Sequence, residues 1–191
     1  MEYTEWRLTG SAAQVLENLP PPLAKLLMDE LYRTQVKSVP MFNGMQEEVV
    51  IRICYALRPL NCMEGDFIFK EGELGQEMYI MEKGAVVLSR YNITLATLGP
   101  GSFFGEGALQ NKRYHRNRTA QAIQDCDLVF LTKADVHKIA NDYPLLTDRI
   151  TELADKRLKG ENKRLNNVLD ETAKSLGVEL APGKEVVSAP S

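Results

Sequence analysis

Between Pro59 and Leu131 the chain is divided by glycines at 65, 72, 75, 84, 99 and 101 into short runs rich in β-branched and aromatic residues. The runs are Phe67–Phe69, Tyr79–Met81, Ala85–Leu88, Thr94–Leu98, Ala120–Ile123 and Leu128–Leu131. Their spacing predicts an antiparallel barrel or sandwich. Helical patterns bracket this region. A short helix is predicted at Ala12–Leu19, ended by Pro20-Pro21-Pro22, and the next carries Leu23, Leu26, Leu27 and Leu31 at helical spacing. Pro40 closes that stretch, and Val49, Val50, Ile53, Cys54 and Leu57 mark another amphipathic helix. On the far side, helix is predicted at Lys133–Asn141 and again from Pro144, with Leu146, Ile150, Leu153, Ala154 and Leu158 as its apolar face. Strands flanked by helices give an α+β fold class.

Length and composition set the frame. A chain of 191 residues allows one ordinary domain plus an accessory segment, and 44% apolar content suffices for a core. The net charge of −3 argues against nucleic acid as a bulk electrostatic partner. No apolar run approaches the ~18–20 residues of a membrane span, so direct membrane insertion of this stretch is not expected. Cys54, Cys62 and Cys126 lack metal-ligand spacing and read as reduced, buried thiols. The two histidines, His115 and His137, have no partners that would make a catalytic triad or a zinc site, and the prediction is binding without turnover, with no cofactor. Leu158, Leu165, Leu169 and Leu176 make at most a weak coiled-coil seam, because Asn162 and Thr172 interrupt it. Gly177–Ser191, with two prolines and no aromatic residue, reads as a disordered tail.

The chemistry concentrates in Phe103-Phe104-Gly105-Glu106-Gly107-Ala108-Leu109 and, nine residues on, Arg118-Thr119-Ala120. Gly105 permits close backbone approach, and a short helical turn from Gly107 points free N–H groups at an anion. Glu106 can accept from hydroxyl groups, and Arg118 supplies a planar fork for phosphate oxygens, with the Thr119 hydroxyl beside it. This inventory fits a nucleotide monophosphate. Lys112, Arg113, His115 and Arg116 form a basic run in the same segment, read as a solvated loop.

Phe-Gly-Glu-x-Ala-Leu followed by Arg-Thr-Ala resembles the phosphate-binding cassette of cyclic-nucleotide-binding domains, and the likeness extends over about Val15–Leu158. It includes Pro40-Met41-Phe42, Glu64-Gly65-Asp66-Phe67-Ile68, Glu71-Gly72, Met78-Tyr79-Ile80 with Gly84, and Asp142-Tyr143-Pro144. The Arg-Thr pair is nearer to the cassettes of tetrameric cation channels than to the Arg-Ala usual in protein kinase regulatory subunits. The resemblance implies an antiparallel, jelly-roll-like β-roll flanked by helices, ordered as a partial channel linker (1–40), the binding domain (41–160), a helical extension (161–176) and the tail (177–191). It implies cAMP or cGMP as ligand, held by Phe104, Gly105, Glu106, Gly107, Ala108, Arg118 and Thr119. The helix from Leu145 is implied to be a lid that closes over the nucleotide and moves the linker, and hence the pore. The implied setting is the cytoplasmic face of a membrane, in a channel whose neighbouring subunits complete a tetramer. The isolated stretch, with an incomplete linker, is expected to be monomeric. A kinase regulatory subunit and a channel domain of the same fold that binds no nucleotide are the alternatives; a bacterial transcription regulator is disfavoured because the sequence after Leu158 is too acidic and short for a DNA-reading motif.

Two departures from the family pattern stand out. Gly107 replaces the usual Ile or Leu, which removes an apolar anchor and adds flexibility, and the segment between Leu109 and Arg118 is longer than in kinase regulatory subunits. The base is the last expectation. By resemblance, Thr119 and Glu161 hold or approach positions that favour cGMP, whereas Arg157 falls where cAMP-preferring relatives carry arginine. Gly160 weakens the helix before Glu161, and the balance is read as cAMP binding at least as well as cGMP.

Overall fold

The computed structural model describes residues 19–110 and 113–175. Helix α1 (Pro21–Ser38) starts on proline, whose missing N–H costs nothing in a first turn. Helix α2 (Glu47–Ala56) has Glu47 and Glu48 in its first turn, favourable to its dipole, and buries Val49, Val50, Ile53 and Cys54. Arg33 of α1 ties the two together, pairing with Asp29 on its own helix and with Glu47 on α2. The strands follow as β1 (Arg58–Cys62), β2 (Phe67–Phe69), β3 (Glu77–Lys83), β4 (Val86–Arg90), β5 (Ile93–Leu98), β6 (Phe103–Phe104), β7 (Thr119–Ala122) and β8 (Cys126–Thr132). A 3-10 turn, Glu106–Leu109, lies between β6 and β7. Helix α3 (Lys133–Asp142) is capped by the Thr132 hydroxyl, which accepts from the Asp135 amide at 3.2 Å. Helix α4 (Leu145–Ser175) runs on without a break into the predicted 161–176 extension, as far as residue 175.

The strands form two four-stranded antiparallel sheets, ordered β1-β8-β3-β6 and β2-β7-β4-β5, in an α+β jelly-roll-like roll. The first sheet is buried on both faces, which is why β3 reads as an unbroken apolar run. Met78, Ile80, Val129 and Leu131 point to the helices and join Val36, Phe42, Ile53 and Ile150 in one core. Their neighbours Tyr79, Met81 and Leu128 point the other way and meet Phe69, Val86, Leu88, Phe104 and Ala120 inside the roll. Pleat alternation thus divides one strand between two cores.

Several expectations shift. Strand β1 is absent from the predicted runs because Arg58, Pro59 and Asn61 break its apolar pattern; it lies at a sheet edge, where proline is tolerated. Leu158 is 37% exposed, because the buried stripe of α4 drifts from Leu146, Ile150 and Ala154 through position 157 to Leu165. Leu165, placed in a coiled-coil seam by its spacing, is buried against the roll. The three cysteines are free and buried, and burial pushes the Cys54 and Cys62 thiols up to about 11. The helix predicted at Ala12–Leu19 and the 177–191 tail fall outside the described residues, apart from Leu19. No helix among the described residues is long and apolar enough to cross a membrane.

Candidate functional site

The cassette turn hangs on Gly105. Its φ of +80° is a left-handed conformation, and an added Cβ would lie 2.8 Å from the Arg116 guanidinium and 3.0 Å from the Glu77 carbonyl. Conformation and space therefore both demand glycine there. Phe104 anchors the preceding strand, buried in the roll and stacked on Tyr79 with ring centroids 5.2 Å apart. After Gly105 the chain enters the 3-10 turn with Glu106, Ala108 and Leu109 buried. The Ala108 amide donates back to the Gly105 carbonyl at 3.1 Å and is committed to the turn. The amides of Glu106 and Gly107 precede that bond, so helix geometry leaves them for an outside acceptor.

Glu106 is 5% exposed and is paired with helix α4. The Arg157 guanidinium of α4 donates to its Oε1 at 3.3 Å and to the Phe103 carbonyl at 3.0 Å, and stacks 3.7 Å from the Phe103 ring centroid. Asp155, on the same helix, accepts from the buried Gln110 side chain at 3.1 Å. Helix α4 thus rests directly on the cassette. Its earlier residues Leu146 and Ile150 pack into the helical core with α1 and α2, and Leu153 lies partly buried against the same core.

Arg118 and Thr119 occupy a second group. Arg118 Nε donates to Asn117 Oδ1 at 3.1 Å, and that oxygen also accepts from the Tyr114 hydroxyl at 3.1 Å. Arg118 lines a small cleft with Arg90, Leu95, Asn117, Asn162 and Leu165. The Thr119 hydroxyl accepts from the Glu71 amide at 3.1 Å. The predicted residues therefore divide into the Gly105–Ala108 turn with Arg157, and the cleft beside Arg118. The Glu161 backbone belongs to α4, but its side chain lies outside the described residues.

Sequence reasoning missed Arg116, which belongs to the basic run read as solvated. It is 3% exposed, donates to the Gly105 carbonyl at 3.2 Å, pairs with Glu77 at 3.3 Å and stacks 4.1 Å from the Phe69 ring centroid. Burial lowers its pKa, against the pull of Tyr79 and Glu77. Its placement follows from strand-like pairing: Tyr114–Arg116 bonds to Gly72, Glu73 and Gly75, and side chains alternate inward, outward and inward at Tyr114, His115 and Arg116. The sequence carries no local signal of it, because the inward turn of Arg116 comes from pairing with Gly72–Gly75.

The same pairing accounts for Gly107. A Cβ there would lie 2.6–2.8 Å from three atoms of the Tyr114 ring, so the insertion supplies the bulk that Ile or Leu would have given. Gly107→Ile is expected to cost about 1–3 kcal/mol by overpacking. Adding Tyr114→Ala should recover part of that loss, with a coupling of at least ~0.5 kcal/mol in a denaturation cycle. Strict additivity would mean that the ring does not fill the place.

A family model described as "Cyclic nucleotide-binding domain" matches residues 59–143. The chain is 33% identical over 146 residues to the cyclic AMP receptor protein of Thermus thermophilus, an alignment covering 73% of this chain and 67% of the relative. It is 30% identical over 179 residues to the cyclic nucleotide-gated channel cone photoreceptor subunit alpha of Gallus gallus, covering 90% of this chain and 24% of the relative. Against the cyclic nucleotide-gated channel alpha-2 of Homo sapiens it is 30% identical over 143 residues, 71% of this chain and 22% of the relative. The chain thus spans about a quarter of the length of those channel relatives. From the fold, the cassette and these matches, the chain belongs to the cyclic nucleotide-binding domain family.

Proposed function

We propose that this domain binds cAMP or cGMP without turning it over. In this reading Glu106 takes the ribose 2′-hydroxyl, the amides at Glu106 and Gly107 take the cyclic phosphate with Arg118 and Thr119, and α4 is the lid. The observation that carries it is the buried Glu106 carboxylate, whose Oε1 is bonded to Arg157 of α4, so that ligand and lid share one side chain. Nucleotide binding then biases α4 between positions only as far as its affinity for the two differs. In the whole protein we assign the domain to the cytoplasmic side of a tetrameric cation channel, with α1 as the later part of the linker that carries lid movement to the pore. Calorimetric titration of the purified chain with cAMP and cGMP tests the reading; saturable binding at one site is the expected result, and silence up to about 1 mM, the ~−4 kcal/mol level, overturns it.

The lid is tested separately. A chain ending at Gly160 keeps Leu146, Ile150, Ala154 and Arg157 and loses Asn162 and Leu165, so it should melt as one unit yet bind nucleotide several-fold more weakly. Undiminished affinity would make the distal helix a flank only.

A second reading starts from the same contact: Glu106 takes its partner from its own chain, as in a structural domain that needs no nucleotide. A silent titration selects it.

A further inference from the structure

We infer that Arg90 reads the base and makes guanine the preferred one, an inference that rests on the cyclic-nucleotide reading above. Arg90 is the last residue of β4 and its side chain is 11% exposed. It lines the same cleft as Arg118. Three contacts fix its guanidinium: Nε to Glu71 at 3.3 Å, one terminal nitrogen to Asn162 Oδ1 at 3.5 Å, and the other to the Tyr91 hydroxyl at 3.3 Å. Arginine has five N–H donors, so with these three bonds among the described residues one N–H on each terminal nitrogen is left for a ligand. A paired donor of this kind matches the two acceptors O6 and N7 of guanine, whereas adenine offers N7 beside an amino group that itself donates.

The surroundings are partly apolar. Leu95 and Leu165 supply the apolar lining of the cleft. Leu95 is directed there by a bulge: Leu88 pairs with Ala96 and Ser89 with Thr94, leaving Leu95 as the extra residue. The hairpin that ends β4 is unusual as well. Tyr91 and Asn92 both have positive φ, 50° and 61°, in a two-residue turn where glycine is favoured, and such strain gathers at functional sites. The turn sets Tyr91 against Arg90, 4.9 Å from guanidinium to ring centroid. Thr119, one residue after Arg118, bonds to the backbone of Glu71, the carboxylate that orients Arg90. Sequence cues put cAMP level or ahead; the lining of the cleft reverses that order.

The test uses the full chain and three ligands by calorimetry: cGMP, cAMP and cyclic IMP, which keeps O6 and N7 but lacks the 2-amino group. The expected result is cGMP tighter than cAMP by about tenfold or more, with cyclic IMP close to cGMP. Arg90→Lys keeps the charge and loses the fork, so the cGMP to cAMP ratio should fall to about one. A cAMP affinity equal to or above that of cGMP overturns the inference, as does an unchanged ratio in Arg90→Lys. Cyclic IMP dropping to the cAMP level also overturns it, since the selector would then lie at the 2-amino edge and not at the O6 and N7 edge that faces Arg90. The ligand comparison needs no variant, so it stands even if Arg90→Lys folds poorly. If no nucleotide binds at all, the inference falls together with the function it rests on; a wrong order among bound nucleotides removes the inference alone.

Discussion

Arg116→Ala should cost about 3–4 kcal/mol of folding stability. The alanine leaves the backbone pairing with Gly72 and Glu73 intact and removes only what the side chain does. The Gly105 carbonyl loses its charged donor inside the roll, which by itself costs about 1–3 kcal/mol. Stacking on Phe69 contributes a further ~1–2 kcal/mol when desolvated. Glu77 is a third exposed, so water takes over its charge and that pair adds little. At about 2–4 °C per kcal/mol for a chain of this size, the midpoint of thermal unfolding should fall by roughly 6–16 °C. Arg116→Lys should recover less than half, because an ammonium cannot both stack and reach two acceptors. A loss below about 1 kcal/mol for the alanine variant would mean that Gly105 holds its left-handed turn unaided.

Arg116 also shows which parts of this molecule its sequence disclosed. Strands β3 and β8 are apolar on both faces and announced themselves, as did the helical stripes of α2 and α3. The cassette was visible because Gly105, Glu106 and Arg118 follow a pattern. Other features depend on contacts between distant segments. Arg116 is buried only because its strand-like stretch pairs with Glu71–Gly75, some forty residues earlier. Arg157 reaches Glu106 because α4 turns its face by a fraction of a residue per turn until position 157, not Leu158, meets the cassette. The cleft joins β4, a bulge in β5 and the far half of α4, three pieces that no local pattern links. Charge made the misreading natural: a basic run is usually solvated, and only tertiary pairing decides which of its members turns inward.

Arg118→Ala should weaken binding of both cAMP and cGMP by at least tenfold while leaving the fold nearly as stable. Arg118 is only partly buried, and its Nε bond goes to Asn117, a neighbour that keeps the Tyr114 hydroxyl as a second partner. Stability should therefore move by less than about 1 kcal/mol. Binding is different, because a cyclic phosphate brought against the cassette loses water and needs a compensating charge. Losing one side of such a pair costs ~2–5 kcal/mol, and ~1.4 kcal/mol is already a factor of ten. Arg118→Lys should restore part of the affinity, as a point charge without the fork. Glu106→Ala should cost less. It also frees Arg157 from its carboxylate partner, so it is best read in a cycle with Arg157→Ala. Equal affinity in Arg118→Ala and the parent, with Arg116→Ala losing binding in a still-folded chain, would move the phosphate contact two residues back, to the guanidinium already bonded to Gly105.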